Sequence, residues 1–278
     1  MRPDLRLLAA ALPALGGSLL LMRRADVGTG PLILQTAVAV VSFAAVALTR
    51  PRAADEHTHE RARLAVAIAT VVVWAPVWTT SLAGPERWLT AGGVRLYVAS
   101  AVLPAMVLVL ARALRESVPP AGWSWGLMAA TLWGLATQPD ASQATAWALA
   151  CALPLARASA PMPTRVSVAT ALAAGVAWAR WQPDPLLPVP HVEGVLDLAA
   201  AAGPVWFAAA VITLALPLLA LARLARASHD AALLSVAIYY VVIDVLAWRQ
   251  LTPMPLLGYG AGPIVGYALM AASARRRP

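Results

Sequence analysis

The stretch AAAAGPVWFAAAVITLALPLLALA, residues 199–222, runs 24 positions without a charged side chain. A helix of that length rises about 36 Å, enough to cross the roughly 30 Å hydrocarbon core of a bilayer. Similar stretches lie on either side, so that predicted spans cover 5–22, 31–49, 64–82, 95–114, 123–138, 142–158, 166–181, 199–222, 231–248 and 258–274. Those at 123–138, 142–158 and 166–181 are short and rely on flanking Arg and Trp to reach the interface. The expected fold is therefore all-α: a polytopic transmembrane helical bundle of about ten spans, forming a single integral membrane domain over residues 1–278.

Composition agrees. The chain is 60% hydrophobic and 12% charged, with mean hydropathy +0.71. A soluble domain carries roughly 25% charge, so a water-soluble core is excluded. All 21 basic residues are Arg, and the segments at 2–6, 50–63, 112–115, 157–165, 223–226 and 275–277 hold 15 of them. Placing those segments inside satisfies the positive-inside rule and puts both termini in the cytoplasm. Because the Arg residues are scattered over short loops rather than gathered on one face, a nucleic-acid partner is excluded. The single Cys151, in the apolar run AWALACALPL, can form no internal disulfide. The N-terminal apolar run is followed by Arg23 and Arg24 rather than a small-residue cleavage motif, and reads as a first span rather than a signal peptide. Pro76, Pro104, Pro154 and Pro217 fall inside spans and predict kinks. The segment QPDPLLPVPHVEGVLD contains Pro183, Pro185, Pro188 and Pro190 and predicts an extended external loop, 182–198, between the seventh and eighth spans.

Three external segments carry more polar residues than tethers need. In AGPERWLTAGGVR, 83–95, Glu86, Arg87 and Trp88 precede a Gly92-Gly93 turn. QPDASQ, 138–143, is a tight link between short spans, and PVPHVEG, 188–194, places His191 and Glu193 two residues apart. A carboxylate partly desolvated at a membrane surface has its pKa raised and can serve as a general base, which makes Glu193 the best-placed candidate; the alternative is an ordinary solvated loop acid. Trp88 on its own reads as part of the interfacial aromatic belt. Asp244, in AIYYVVIDVLAW, is the one acid deep in a span. It is either a functional intramembrane carboxylate or a partner of Arg249 near the interface. His57 and His59, in EHTHE, belong to a solvated mixed-charge loop.

Taken in order, four segments resemble the SEDS family (shape, elongation, division and sporulation). GPERWLTAGG, 84–93, followed by VLVLARALRE, resembles the family's external N-G-x-R-R-W-L-x-x-G-G stretch and the next span. QPDASQATAWALACAL, 138–153, resembles its Q-P-D-x-G-T-A element. PVPHVEGVLDLAAAAGPVWFAAAVI, 188–212, is similar to the loop-to-span segment P-E-x-H-T-D-F-I-F-A-x-x-x-E-x-G. TPMPLLGYGAGPIVGYALMAA, 252–272, resembles G-x-P-L-P-F-x-S-Y-G-G-S-S. The resemblance runs from about residue 83 to the end.

It implies a ten-span peptidoglycan glycosyltransferase in the bacterial cytoplasmic membrane, polymerising a polyprenyl-linked disaccharide at the outer face. By position Glu193 stands for the family's catalytic Asp and His191 for its His. Arg87, Trp88, Gln138, Asp140 and Tyr259 are the implied substrate-binding residues. A divalent cation could neutralise the leaving pyrophosphate, although no dedicated metal-ligand set is visible. A single-span penicillin-binding protein is an implied partner, alongside membrane lipid. Departures from the family pattern are Tyr97-Val98-Ala99-Ser100 for Gln-Pro-Ser-Glu, Leu103 for Lys, Ala261-Gly262-Pro263 for Gly-Ser-Ser, and Glu for Asp at 193. The longer side chain moves the carboxylate by about 1.5 Å, so an active site would have to have adapted. A non-catalytic SEDS-like protein binding a lipid precursor or a partner in a cell shape or division complex is the second expectation. A transporter or flippase, suggested by the prolines and Asp244, is the third.

Overall fold

A computed structural model describes residues 2–49, 58–79, 87–91, 94–116, 122–184 and 186–275. Among these the chain forms α1 (Pro3–Arg24), α2 (Thr29–Leu48), α3 (Thr58–Thr79), β1 (Trp88–Ala91), β2 (Val94–Tyr97), α4 (Val98–Glu116), α5 (Gly122–Thr137), α6 (Ala141–Arg157), α7 (Met162–Trp181), α8 (Val195–Ala202), α9 (Pro204–Ser228), α10 (Ala231–Trp248) and α11 (Ala261–Ala274). The expected all-α architecture holds, with β1 and β2 making one short antiparallel hairpin. A helix coincides with each of the ten predicted segments. Six of them, α1, α2, α3, α4, α9 and α10, are long and apolar enough to cross a membrane; α11 is apolar but shorter.

Helix is the form that apolar runs must take where water is absent, since it satisfies every interior N–H and C=O within the segment. Local chemistry sets the ends. Asp140 caps α6 by accepting from the Gln143 N–H, and Asp230 caps α10 by accepting from the Ala232 N–H. Gln-Pro follows both α5 and α7, and proline's missing N–H and its steric demand on the preceding residue stop each helix there.

Helix α4 sits at the centre, packed against α11, α6, α10 and α3. Its contact with α11 is backbone-close: a Cβ on Gly266 would collide with the Ser100 carbonyl, and one on Gly262 with that of Tyr97. Trp147, Tyr239 and Tyr267 are fully buried. Their polar atoms find partners inside the bundle: Trp147 Nε1 donates to Met128 O (3.0 Å), Tyr239 OH to Gln143 Oε1 (2.6 Å) and Tyr267 OH to Leu7 O (2.9 Å). By contrast α2 and α9 bury little, and Ile33, Val41, Val205 and Ile212 are exposed. Faces of that kind suit hydrocarbon rather than water.

One end of the bundle gathers both chain ends. Buried Asp4 accepts from Arg2 (2.9 Å) and Arg275 (2.7 Å), and Arg275 also donates to Thr49 O (2.7 Å) and Oγ1 (2.9 Å). The opposite end carries the hairpin, the 138–140 link and the chain around 182–194 and 249–260.

Three expectations need correction. The 199–222 segment is not one span. Gly203, at φ +121°, breaks it between α8 and α9, and Pro204 takes the first turn of α9, where its absent N–H costs nothing. The loop expected over 182–198 is irregular only as far as Gly194, because VLDLAAAA then folds as α8. The fourth helix starts at Val98 rather than 95, since Val94–Tyr97 pairs with Trp88–Ala91. Asp244 lies half-buried in α10 and forms no ion pair with Arg249. Pro76, Pro104, Pro154 and Pro217 all lie within helices, as does Pro13. Glu86, the Gly92-Gly93 turn and His57 lie outside the described residues.

Candidate functional site

The hairpin exists because its strands alternate. Trp88 faces Tyr97 across the ladder, and the two rings stack with centroids 5.1 Å apart. This pins the start of β1, and with it Arg87, against the links that follow α5 and α7. Arg87 is buried, and its guanidinium reaches three acceptors: Nε donates to Gln138 O (3.1 Å), Nη2 to Pro139 O, and Nη1 to the Asp184 carboxylate (3.0 Å). A guanidinium has five N–H groups, so two remain for another anion.

One layer further in, Gln138 and Asp140 are almost fully buried. The Gln138 amide donates to Val73 O of α3. Asp140 accepts from Tyr97 OH (2.5 Å) as well as from the Gln143 N–H (3.2 Å). Burial pushes its carboxyl above the ordinary carboxylate range, opposed by the Arg87 charge and these two donors. Both residues thus act as framework, tying α3, β2 and α6 together beneath Arg87.

Glu193 closes the site from the other side. The 189–194 turn folds back on itself: the N–H groups of Val192 (2.9 Å), Glu193 (3.0 Å) and Gly194 (3.2 Å) all donate to Val189 O, and the Val189 N–H donates to Glu193 Oε2 (2.8 Å). The other carboxylate oxygen makes no hydrogen bond within the described residues. Burial raises the Glu193 pKa above the usual value; Asp184 raises it further, while the backbone N–H groups and Arg87 lower it. The turn is held against the chain before α11 by Met254 N–H to Val192 O (3.1 Å) and Tyr259 N–H to His191 O (2.8 Å). Gly258 allows that seam, because a Cβ there would collide with Val192 O and lie 2.8 Å from Met254 O.

A small open cleft lies between these elements. Arg87, Trp88 and Glu193 line it together with Tyr97, Asp184 and Thr252. Of the residues expected at the site, the structure brings those first three into one cleft and puts Gln138 and Asp140 behind it. His191 and Tyr259 pack on each other, centroids 6.0 Å apart, beside the cleft rather than in its lining. Burial lowers the His191 pKa, which favours the neutral imidazole. Among the described residues no group of three or more His, Cys, Asp or Glu side chains could hold a metal ion. Among the described residues a cation at the cleft would meet only Asp184 and Glu193 as acids.

Sequence reasoning missed Asp184 and the part played by Tyr97. A signal for Asp184 was present: Gln-Pro-Asp occurs twice, at 138–140 and 182–184, each time directly after a helix. Arg87 binds both copies, through two carbonyls of the first and the carboxylate of the second. Compared with protein-family models and with curated proteins, the chain shows no match to either.

Proposed function

We propose that this chain is a SEDS-like, ten-span protein of the bacterial cytoplasmic membrane, with cytoplasmic termini and the Arg87–Glu193 cleft at the outer face. There it transfers a glycosyl group from a polyprenyl-linked disaccharide to a growing peptidoglycan strand. The observation that carries this reading is that Arg87 and Glu193, from segments far apart in sequence, line a single cleft at one end of the bundle. The order of the four family-like segments supports it.

In this reading the free oxygen of Glu193 takes the proton of the acceptor hydroxyl. That hydroxyl oxygen then bonds to the anomeric carbon of the donor, whose bond to the lipid pyrophosphate breaks. The two unused Arg87 N–H groups meet the charge that develops on the departing pyrophosphate, for which a planar guanidinium is well suited. The half-exposed Asp184 can give way to the incoming anion. Purified protein given lipid-linked disaccharide should yield glycan chains. Glu193→Gln should reduce their rate of formation by about 10²–10⁴, the range for a lost general base, and unchanged product would reject the assignment.

A second reading, a non-catalytic SEDS-like protein that binds a lipid precursor or a single-span penicillin-binding protein, is favoured by one observation: three of the Arg87 N–H groups already bind protein acceptors. It predicts no glycan product from the wild-type protein, together with co-purification of a polyprenyl lipid or of that partner. A transporter or flippase ranks third, since no observation on the site favours it over these two.

A further inference from the structure

At the end of the bundle away from the candidate active site, α4, α6 and the start of α10 border a second, shallow cleft open to the surroundings. Leu114, Leu153 and Pro154 make its apolar wall, and Arg115 and Arg157 stand at its edge. Ser235 also lines it; this side chain is only 1% exposed, yet its hydroxyl has no hydrogen-bond partner among the described residues. A buried hydroxyl left unmatched is costly, so its position facing a cleft points to a ligand that would satisfy it.

The charges around the cleft are unbalanced. Among the described side chains Asp230 is the one acid there, and it is already engaged: Arg112 donates to its Oδ2 through Nε (3.0 Å) and Nη2 (2.8 Å), while its Oδ1 caps α10. Arg115 stands off Asp230 at 3.7 Å, and Arg157 makes no hydrogen bond or ion pair among the described residues. Among the described side chains three guanidiniums thus face one carboxylate; Arg115 has only its 3.7 Å contact with Asp230, and Arg157 has none.

We propose that this cleft binds the phosphate and glycerol portion of an anionic membrane phospholipid, from the leaflet opposite the candidate active site. Arg115 and Arg157 hold the phosphate oxygens, Ser235 hydrogen-bonds a glycerol or ester oxygen, and the acyl chains leave along the apolar wall. Arg suits phosphate because its fork presents parallel N–H groups. Basic pockets between spans at headgroup depth are matched to such lipids. A free phosphate would fit the charges but would leave the apolar wall wet, and this distinguishes the two sources.

The test uses the full-length protein in detergent, with thermal melting and native mass spectrometry as readouts. Phosphatidylglycerol should raise the melting temperature and remain bound, whereas phosphatidylcholine and inorganic phosphate should do neither. Arg115→Gln/Arg157→Gln should melt like the wild type without lipid and bind phosphatidylglycerol at least about tenfold more weakly. Arg157→Gln alone, at an exposed helix end, serves the same purpose should the double variant fail to fold. An undiminished phosphatidylglycerol response in these variants would overturn the proposal. So would equal stabilisation by phosphatidylcholine, or by inorganic phosphate.

Discussion

Glu193 combines three properties: one oxygen held by the Val189 N–H, one with no hydrogen bond among the described residues, and surroundings that raise its pKa chiefly by burial. A general base works ionised. With the folded-state pKa raised, the polymerisation rate should climb with pH through a midpoint above the roughly 4.3 of an ordinary glutamate, and should fall away as pH drops below it. Initial rates measured across the acid range would show this, and a rate indifferent to pH there would count against Glu193 as the base. His191 follows the opposite sign. Its depressed pKa means that the stability it contributes is present above the usual His range and is lost as pH falls through the lowered value, so acid should loosen its seam with Tyr259. At this scale the sequence singled out a carboxylate that the fold places in the lining of the cleft with Arg87. It could not reveal two of the three partners of Arg87, because the Gln138 and Pro139 acceptors are backbone carbonyls, which carry no sequence signature.

Among the elements, Arg87 is the clasp joining the β1–β2 hairpin, the α5–α6 link and the chain after α7. Arg87→Ala leaves two carbonyls and a carboxylate without their donor and should lower stability by about 2–3 kcal/mol. Arg87→Lys, which keeps the charge but not the fork, should recover only part of that loss. Thermal melting of the purified variants checks both. Gly258→Ala drives a methyl into the carbonyls of Val192 and Met254 and should cost about 1–3 kcal/mol, and it should also slow glycan synthesis by displacing the 189–194 turn. Helix positions were legible because apolar runs of span length permit little else in hydrocarbon. The hairpin was not, since VRLY continues directly into the apolar VASAVL with no breaker between strand and helix. The division at Gly203 was legible in principle from Gly-Pro, yet the uninterrupted apolarity on both sides hid it.

For the whole molecule, the arrangement of ends can be tested directly. Cys151 is buried, which leaves little background for thiol labelling. Leu187→Cys, exposed near the candidate site, should react with a membrane-impermeant maleimide on spheroplasts, whereas Ser228→Cys, exposed at the C-terminal end of α9, should react only after the membrane is opened. The reverse pattern would invert the proposed topology. The salt bridge between Asp4 and Arg275 adds a temporal constraint, because its partners are 271 residues apart. During synthesis the buried carboxylate near the start of the chain can receive this guanidinium only after nearly every other helix has been made. Until then α1 lacks one of its two ionic anchors. A nascent chain that stalls before Arg275 therefore leaves Asp4 with Arg2 as its one ionic partner among the described residues, a defect in the first helix whose cause lies 271 residues away.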